Sequence, residues 1–309
     1  MTDVLQGFLV IGLVVFVGYL VGKWGVLGPH VQEVLGKTAF FVFTPALIFT
    51  VVSEASPREA FSTLLPVSMV TAAVITIVTV VVFRVFFKAS VPRTVIATLG
   101  ASYVNSSNMG IPLAAYILGD AALALPVIVF QVVLTAPIAL TILDIHTRDT
   151  PPSWGKIILS PLQNPLIVAS ILGALMSWEG LHLPELIAQP VDLLGQAAVP
   201  TVLFLLGWTM VGTNPLKHST HRTQLFTVTA LKVIVMPLVA WLIAHSLFGL
   251  EGKPLFTVVM LATLPVAQNV FTYAVRYGDS QEFARDTVVV TTVASLPALV
   301  AVTMLLGGL

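Results

Sequence analysis

The chain of 309 residues has no cysteine, which excludes disulfides, a thiolate nucleophile and cysteine-ligated metals. Charge is scarce too: 9% of the residues are Asp, Glu, Lys or Arg, against about 25% in soluble domains. Cations and anions balance at 14 each, so net charge says nothing about nucleic-acid or acidic partners, and no nucleic acid is expected. Gly-x-Ser-x-Gly, His-Glu-x-x-His and Walker-type loops are all missing. Neither an enzyme nor an ATP-driven pump is expected, and no cofactor. No Lys or Arg precedes the first apolar run and no small-residue cleavage site is evident. Val4–Gly22 therefore reads as a retained span rather than a signal peptide.

What is present is apolar. Hydrophobic residues make up 57% of the chain and the mean hydropathy is +1.00, the signature of a polytopic protein of the lipid bilayer. Runs near bilayer length predict ten spans: Val4–Gly22, Thr38–Val52, Leu64–Phe87, Val95–Leu118, Leu123–Leu143, Leu159–Ser177, Leu193–Val211, Leu225–Leu247, Leu255–Tyr277 and Thr287–Leu306. With the N-terminus outside, the cytoplasmic loops hold Lys23, Lys37, Arg84, Lys88, Arg93, Arg148, Lys156, Lys217, Arg222, Arg276 and Arg285. The outer loops then hold only Arg58 and Lys253. This positive-inside bias places both termini outside. Trp24, Trp154 and Trp208 fall near the inner interface and Trp178 near the outer one, as aromatic anchors do.

One polar stretch cannot face lipid: Asn105-Ser106-Ser107-Asn108, followed by Gly110 and Pro112, sits inside the fourth span. Pro112 lacks an N–H and clashes with the carbonyl four residues back, so the backbone is expected to open near Asn108. Freed backbone groups in a bilayer are tolerated only in a protein-lined or hydrated cavity. The ninth span repeats the device with Pro265, Gln268 and Asn269. Ten residues separate Val95 from Asn105, and ten separate Leu255 from Pro265. Each break thus lies roughly 15 Å into its helix, from opposite faces, near the midplane.

Ordered matches suggest an internal repeat. Thr44-Pro45 resembles Val199-Pro200, Gly119-Asp120 matches Gly278-Asp279, and Ala136-Pro137 matches Leu296-Pro297, at nearly one offset. Two halves follow, residues 1–150 and 151–309. An odd number of spans in each inverts one half relative to the other, an architecture tied to secondary transport. A channel would need a continuous polar stripe and a sensor an appended domain; polarity here gathers at two breaks.

All carboxylates map to loops or span ends, leaving Lys232 as the one deep charge. A lone intramembrane cation faces a cavity or a partner. Either an incoming anion is that partner, or the side chain runs to the cytoplasmic interface. His218-x-x-His221 has metal-ligand spacing but no further nearby ligands, and reads as a solvated loop. Gly18 and Gly22 form a small-xxx-small pair suited to a close helix contact.

Asn105 with Met109-Gly110-Ile111-Pro112-Leu113, and Leu264-Pro265 running to Phe271 and Tyr277, resemble the auxin efflux carrier family. That family comprises plant carriers and bacterial relatives described as malonate or other organic-acid transporters. The resemblance implies an all-α fold like that of bile-acid sodium symporters, with ten transmembrane helices in two inverted five-helix repeats. Helices 4 and 9 are then broken and cross. It also implies a scaffold and a transport bundle drawn from both halves, an elevator motion, a homodimer, and the bacterial cytoplasmic membrane. Asn105 matches the family's substrate-contacting Asn, and Gln131 and Lys232 match polar positions of its adjacent support region. The family's amide after the second Pro is replaced by Val266, with Gln268 and Asn269 as substitutes. The plant carriers' acidic residue of the third span, implicated in proton linkage, has no counterpart in Leu64–Phe87.

The expected activity is movement of a small organic anion, auxin-like or malonate-like, by a secondary carrier. Asn105, Asn108, Gln268, Asn269, Gln131 and Lys232 are its candidate binding residues, and Gly110, Pro112 and Pro265 the helix-breaking ones. Coupling stays open between sodium, a proton and neither. Sodium would be held by oxygens of Ser106, Ser107 and Gln268, and a sodium-coupled dicarboxylate symporter is the alternative reading.

Overall fold

The computed structural model describes residues 2–28, 30–54, 63–147, 165–212, 221–278 and 280–307. Arg58, Arg148, Trp154, Lys156, Lys217 and His218 lie outside the described residues. The described chain is helical, with one isolated β-bridge and no strand. In order the helices are α1 (Thr2–Trp24), α2 (Val31–Thr38), α3 (Thr44–Glu54), α4 (Leu64–Val81), α5 (Val91–Ser102), α6 (Ile111–Leu113), α7 (Leu125–Phe130) and α8 (Ala136–Thr147). There follow α9 (Pro165–Glu179), α10 (Glu185–Gln196), α11 (Ala198–Thr209), α12 (Arg222–Ala230), α13 (Met236–Leu242), α14 (Gly252–Thr263), α15 (Asn269–Tyr277) and α16 (Gln281–Leu306).

Proline explains why many of these helices are segmented. Pro45, Pro112, Pro137 and Pro237 each stand two residues beyond a π-helical turn: Ala39–Phe43, Ser106–Gly110, Gln131–Thr135 and Leu231–Val235. The carbonyl that each ring would strike, four residues back, belongs to the middle residue of that turn. Widening the turn moves the carbonyl aside, and the helix continues where a simple α-helix would kink.

Among the described residues, six continuous helices are long and apolar enough to cross a membrane: Glu33–Glu54, Leu64–Phe86, Ala121–His146, Glu185–Leu205, Arg222–Leu247 and Gln281–Leu306. The expected second span, Thr38–Val52, is therefore longer at both ends, because α2 runs into α3 through the π-helical turn. The expected fourth and ninth spans are interrupted, so neither yields one long helix.

Two compact units emerge, and each takes segments from both sides of residue 150. The first comprises Met1–Ser62, Ser107–Pro126 and Leu159–Thr213. In it α1 lies backbone to backbone on α11: a Cβ at Gly18 would collide with the Phe204 carbonyl, and one at Gly207 with that of Val15. Gly22 faces Trp208 and Val211. Small residues permit this approach, and dispersion between two close backbones is the gain. The small-residue pair of the first span thus closes a contact inside this unit.

The second unit comprises Thr63–Ser106, Val127–Ile158 and Asn214–Leu309. Phe83, fully buried, packs against Phe87 and Phe283. The Arg93 guanidinium lies 3.9 Å over the Phe283 ring and donates to Gln224 Oε1 at 3.1 Å. Two carboxylates at helix ends, Asp144 and Asp286, are buried, which their loop-like sequence positions did not suggest.

Candidate functional site: a crossover of two interrupted helices

Helix α5 starts cleanly. The Ser90 hydroxyl accepts from the Arg93 N–H and Pro92 sits in the first turn, where its missing donor costs nothing. It stops at Tyr103, whose ψ of 98° is extended, followed by β-branched Val104. Helix α14 stops for a sharper reason. Leu264 precedes a proline, which disfavours the helical region, and its ψ is 147°.

The two extended stretches then meet. Asn105 N–H donates to the Pro265 carbonyl at 2.8 Å and Ala267 N–H to that of Tyr103 at 3.2 Å, forming an antiparallel bridge between Val104 and Val266. Backbone groups freed by each interruption are satisfied by the other, as a lipid environment demands. The Val266 N–H goes to Thr291 Oγ1 at 3.3 Å. The opening thus lies at residues 103–105, upstream of the expected position. Asn108 belongs instead to the π-helical turn that accommodates Pro112, and Gly110 is helical with φ −66°.

Around the bridge the second unit gathers polar groups. Asn105 and Ser106 are buried, and Ser106 Oγ accepts from Gln131 Nε2 at 2.8 Å. Gln131 Oε1 is buried without a hydrogen-bond partner. Gln268 is half-buried, while Asn269 is exposed at the start of α15 and hydrogen-bonds with the buried Tyr103, which also bonds Tyr273. Lys232 is 0% exposed, which overturns the route to the cytoplasmic interface. Its Nζ donates to the Ala262 carbonyl at 2.7 Å and to Met236 Sδ at 3.1 Å. The ammonium therefore stands at the C-terminal end of α14, where the helix dipole is negative.

A family model described as membrane transport protein matches residues 3–303. The chain belongs to this family. Similarity extends to a relative from Rhizobium meliloti (strain 1021) named "Putative malonate transporter". The two are 28% identical over 299 residues, 91% of this chain and 89% of the relative. The likeness to auxin efflux carriers read from the broken helices is thereby shown, and the chain is a multi-pass membrane transport protein.

Within this member of the family, the site residues named from sequence fall into two groups. Asn105, Ser106, Gln131, Lys232, Pro265, Gln268 and Asn269 belong to the second unit, around one crossover. Ser107, Asn108, Gly110 and Pro112 belong to the first. Tyr103, Ala262 and Thr291 were missed. Tyr103 is readable in hindsight as an aromatic hydroxyl beside the polar run. A threonine in an apolar helix and an alanine carbonyl carry no signal of their own. Among the described residues no His, Asp and Glu cluster has the makings of a metal site.

Proposed function

We propose that this protein is a secondary carrier for a small organic anion of the malonate or monocarboxylate class. The carrying observation is the crossover itself: two helices interrupted at Tyr103–Asn105 and Leu264–Ala267, their ends bridged in the interior. The start of α15 brings N–H groups and the positive end of a helix dipole, which favour a carboxylate. Asn269, Gln268 and Asn105 add amide donors beside it, with Tyr103 holding Asn269 in place. The name of the Rhizobium relative supports an acid of this kind. Ten spans in two inverted repeats, both termini outside the cytoplasmic membrane, a homodimer, and elevator motion of the crossover-bearing unit complete the proposal. They rest on the ten apolar runs, the charge bias of the loops and the family resemblance.

The test is solid-supported-membrane electrophysiology on purified protein in liposomes. Malonate, other small carboxylates and indole-3-acetate are applied in turn, and radiotracer counterflow covers an electroneutral cycle. A current or counterflow for one of these acids, reduced in Asn105→Ala and Asn269→Ala, is the expected result. Silence in both assays across the panel refutes the organic-anion reading.

A further inference from the structure

In an unbroken helix the Ala262 carbonyl would accept the N–H of Val266, four residues on. That N–H is committed to Thr291 Oγ1, because the chain has left the helix at Leu264. The carbonyl is one of the orphan acceptors that every helix end leaves, and here it is buried. The acceptor is filled by Lys232 Nζ, at 2.7 Å. No ion pair among the described residues involves Lys232. Beside this contact lies a cavity of about 20 Å³, room for one water or one small cation. Its wall includes Ser68, Thr71, Gln131, Met236 and Ala262, the last two being the residues that the ammonium touches. Thr71 Oγ1 and Gln131 Oε1 are both buried without a partner.

Hydroxyl, amide and carbonyl oxygens around such a volume are what a hard monovalent cation seeks. Lys232 does not itself line the cavity, but its ammonium rests on Met236 and Ala262, which do, so its charge opposes a mobile cation there. We infer that Lys232 is a tethered cation. Its ammonium supplies, at the C-terminal end of α14, the positive charge that a sodium ion would otherwise bring, so anion movement needs no sodium. The inference rests on the carrier reading above and deepens it. The cavity is a latent cation site that the lysine denies to sodium.

The experiment uses the full chain in liposomes, with the acid that the panel identifies, in choline, sodium or methylammonium chloride at equal ionic strength. Wild-type protein is expected to move the acid equally in all three salts. Transport of no acid in any salt is failure of the carrier reading; transport that requires sodium overturns the tethered cation alone. Lys232→Ala is expected to lose roughly tenfold in choline, the size of a buried charge at a helix end, and to regain activity in sodium or methylammonium. Equal activity of the variant in choline, or no rescue by either cation, overturns the inference. Should the variant be too unstable to transport, its melting temperature is read in the same salts. Selective stabilisation by the small cations over choline supports the inference, and identical values refute it.

Discussion

Thr291 closes the crossover through a single atom. Val266 and Thr291 are both 0% exposed, and the Val266 N–H has the Thr291 hydroxyl as its acceptor, at 3.3 Å. Thr291→Val keeps the volume and removes that oxygen, stranding a buried donor. Such a group costs about 1–3 kcal/mol, and the length of this bond argues for the lower end. At about 1.4 kcal/mol per factor of ten, the bridge should open some five- to tenfold more often. Hydrogen–deuterium exchange in nanodiscs reads this directly. Amides of Asn105, Val266 and Ala267 are expected to exchange faster in Thr291→Val, while Thr291→Ser, which keeps the hydroxyl, stays near wild type. On the carrier reading proposed above, transport is expected to fall with protection, because the amides assigned to the anion are no longer held in place. If Thr291→Val and wild type exchange at the same rate across residues 103–106 and 264–268, the account of how the crossover is held together is wrong.

Gly207→Ala drives a methyl group into the Val15 carbonyl, and overpacking of this kind costs about 1–3 kcal/mol; thermal unfolding should show a lowered midpoint, with Gly212→Ala the wrong control because its φ of 71° is itself strained for alanine. Pro265→Ala restores an N–H and removes the restriction on Leu264, so α14 is free to extend through the bridge. Transport should drop at least about tenfold with expression and monodispersity retained; unchanged transport would show that the interruption at Leu264–Ala267 has no part in it. His221, just before α12, is held below the usual histidine range by partial burial and then by the Arg93 guanidinium. A depressed folded-state value means that the unfolded chain takes up the proton first, so stability is full above about pH 6.5 and declines as the pH falls below it. Melting temperatures from pH 7.5 to 5.5 should decline less steeply in His221→Gln than in wild type.

The interruptions were legible in the sequence because proline and consecutive amides have no other plausible place in an apolar run. Their exact position was not. Proline announces where a helix is disturbed, yet Pro112 is absorbed by the π-helical turn Ser106–Gly110, and the chain opens at Tyr103–Asn105. What decides the opening is a partner far along the chain, the stretch Leu264–Ala267, and pairing of that kind leaves no local pattern. Lys232 shows the same limit. One deep cation was visible, but its destination is a main-chain oxygen of Ala262, and no side-chain identity advertises an orphan carbonyl. Gln131 beside Ser106 lay between these cases: two polar residues in neighbouring spans, brought to 2.8 Å.

The bridge also sets a schedule for biogenesis. Residues 103–105 leave the ribosome with unpaired amides and carbonyls, and the segment that satisfies them is synthesised about 160 residues later, roughly 10–30 s at ordinary elongation rates. Throughout that interval the interrupted segment around residues 103–105 carries unsatisfied backbone groups, unsuited to release into lipid. It has to wait beside water, the insertion machinery or its own later helices. Slowing translation between the two stretches would lengthen that exposure and should cost yield, whereas a chain truncated before Leu264 would leave the first interruption permanently open.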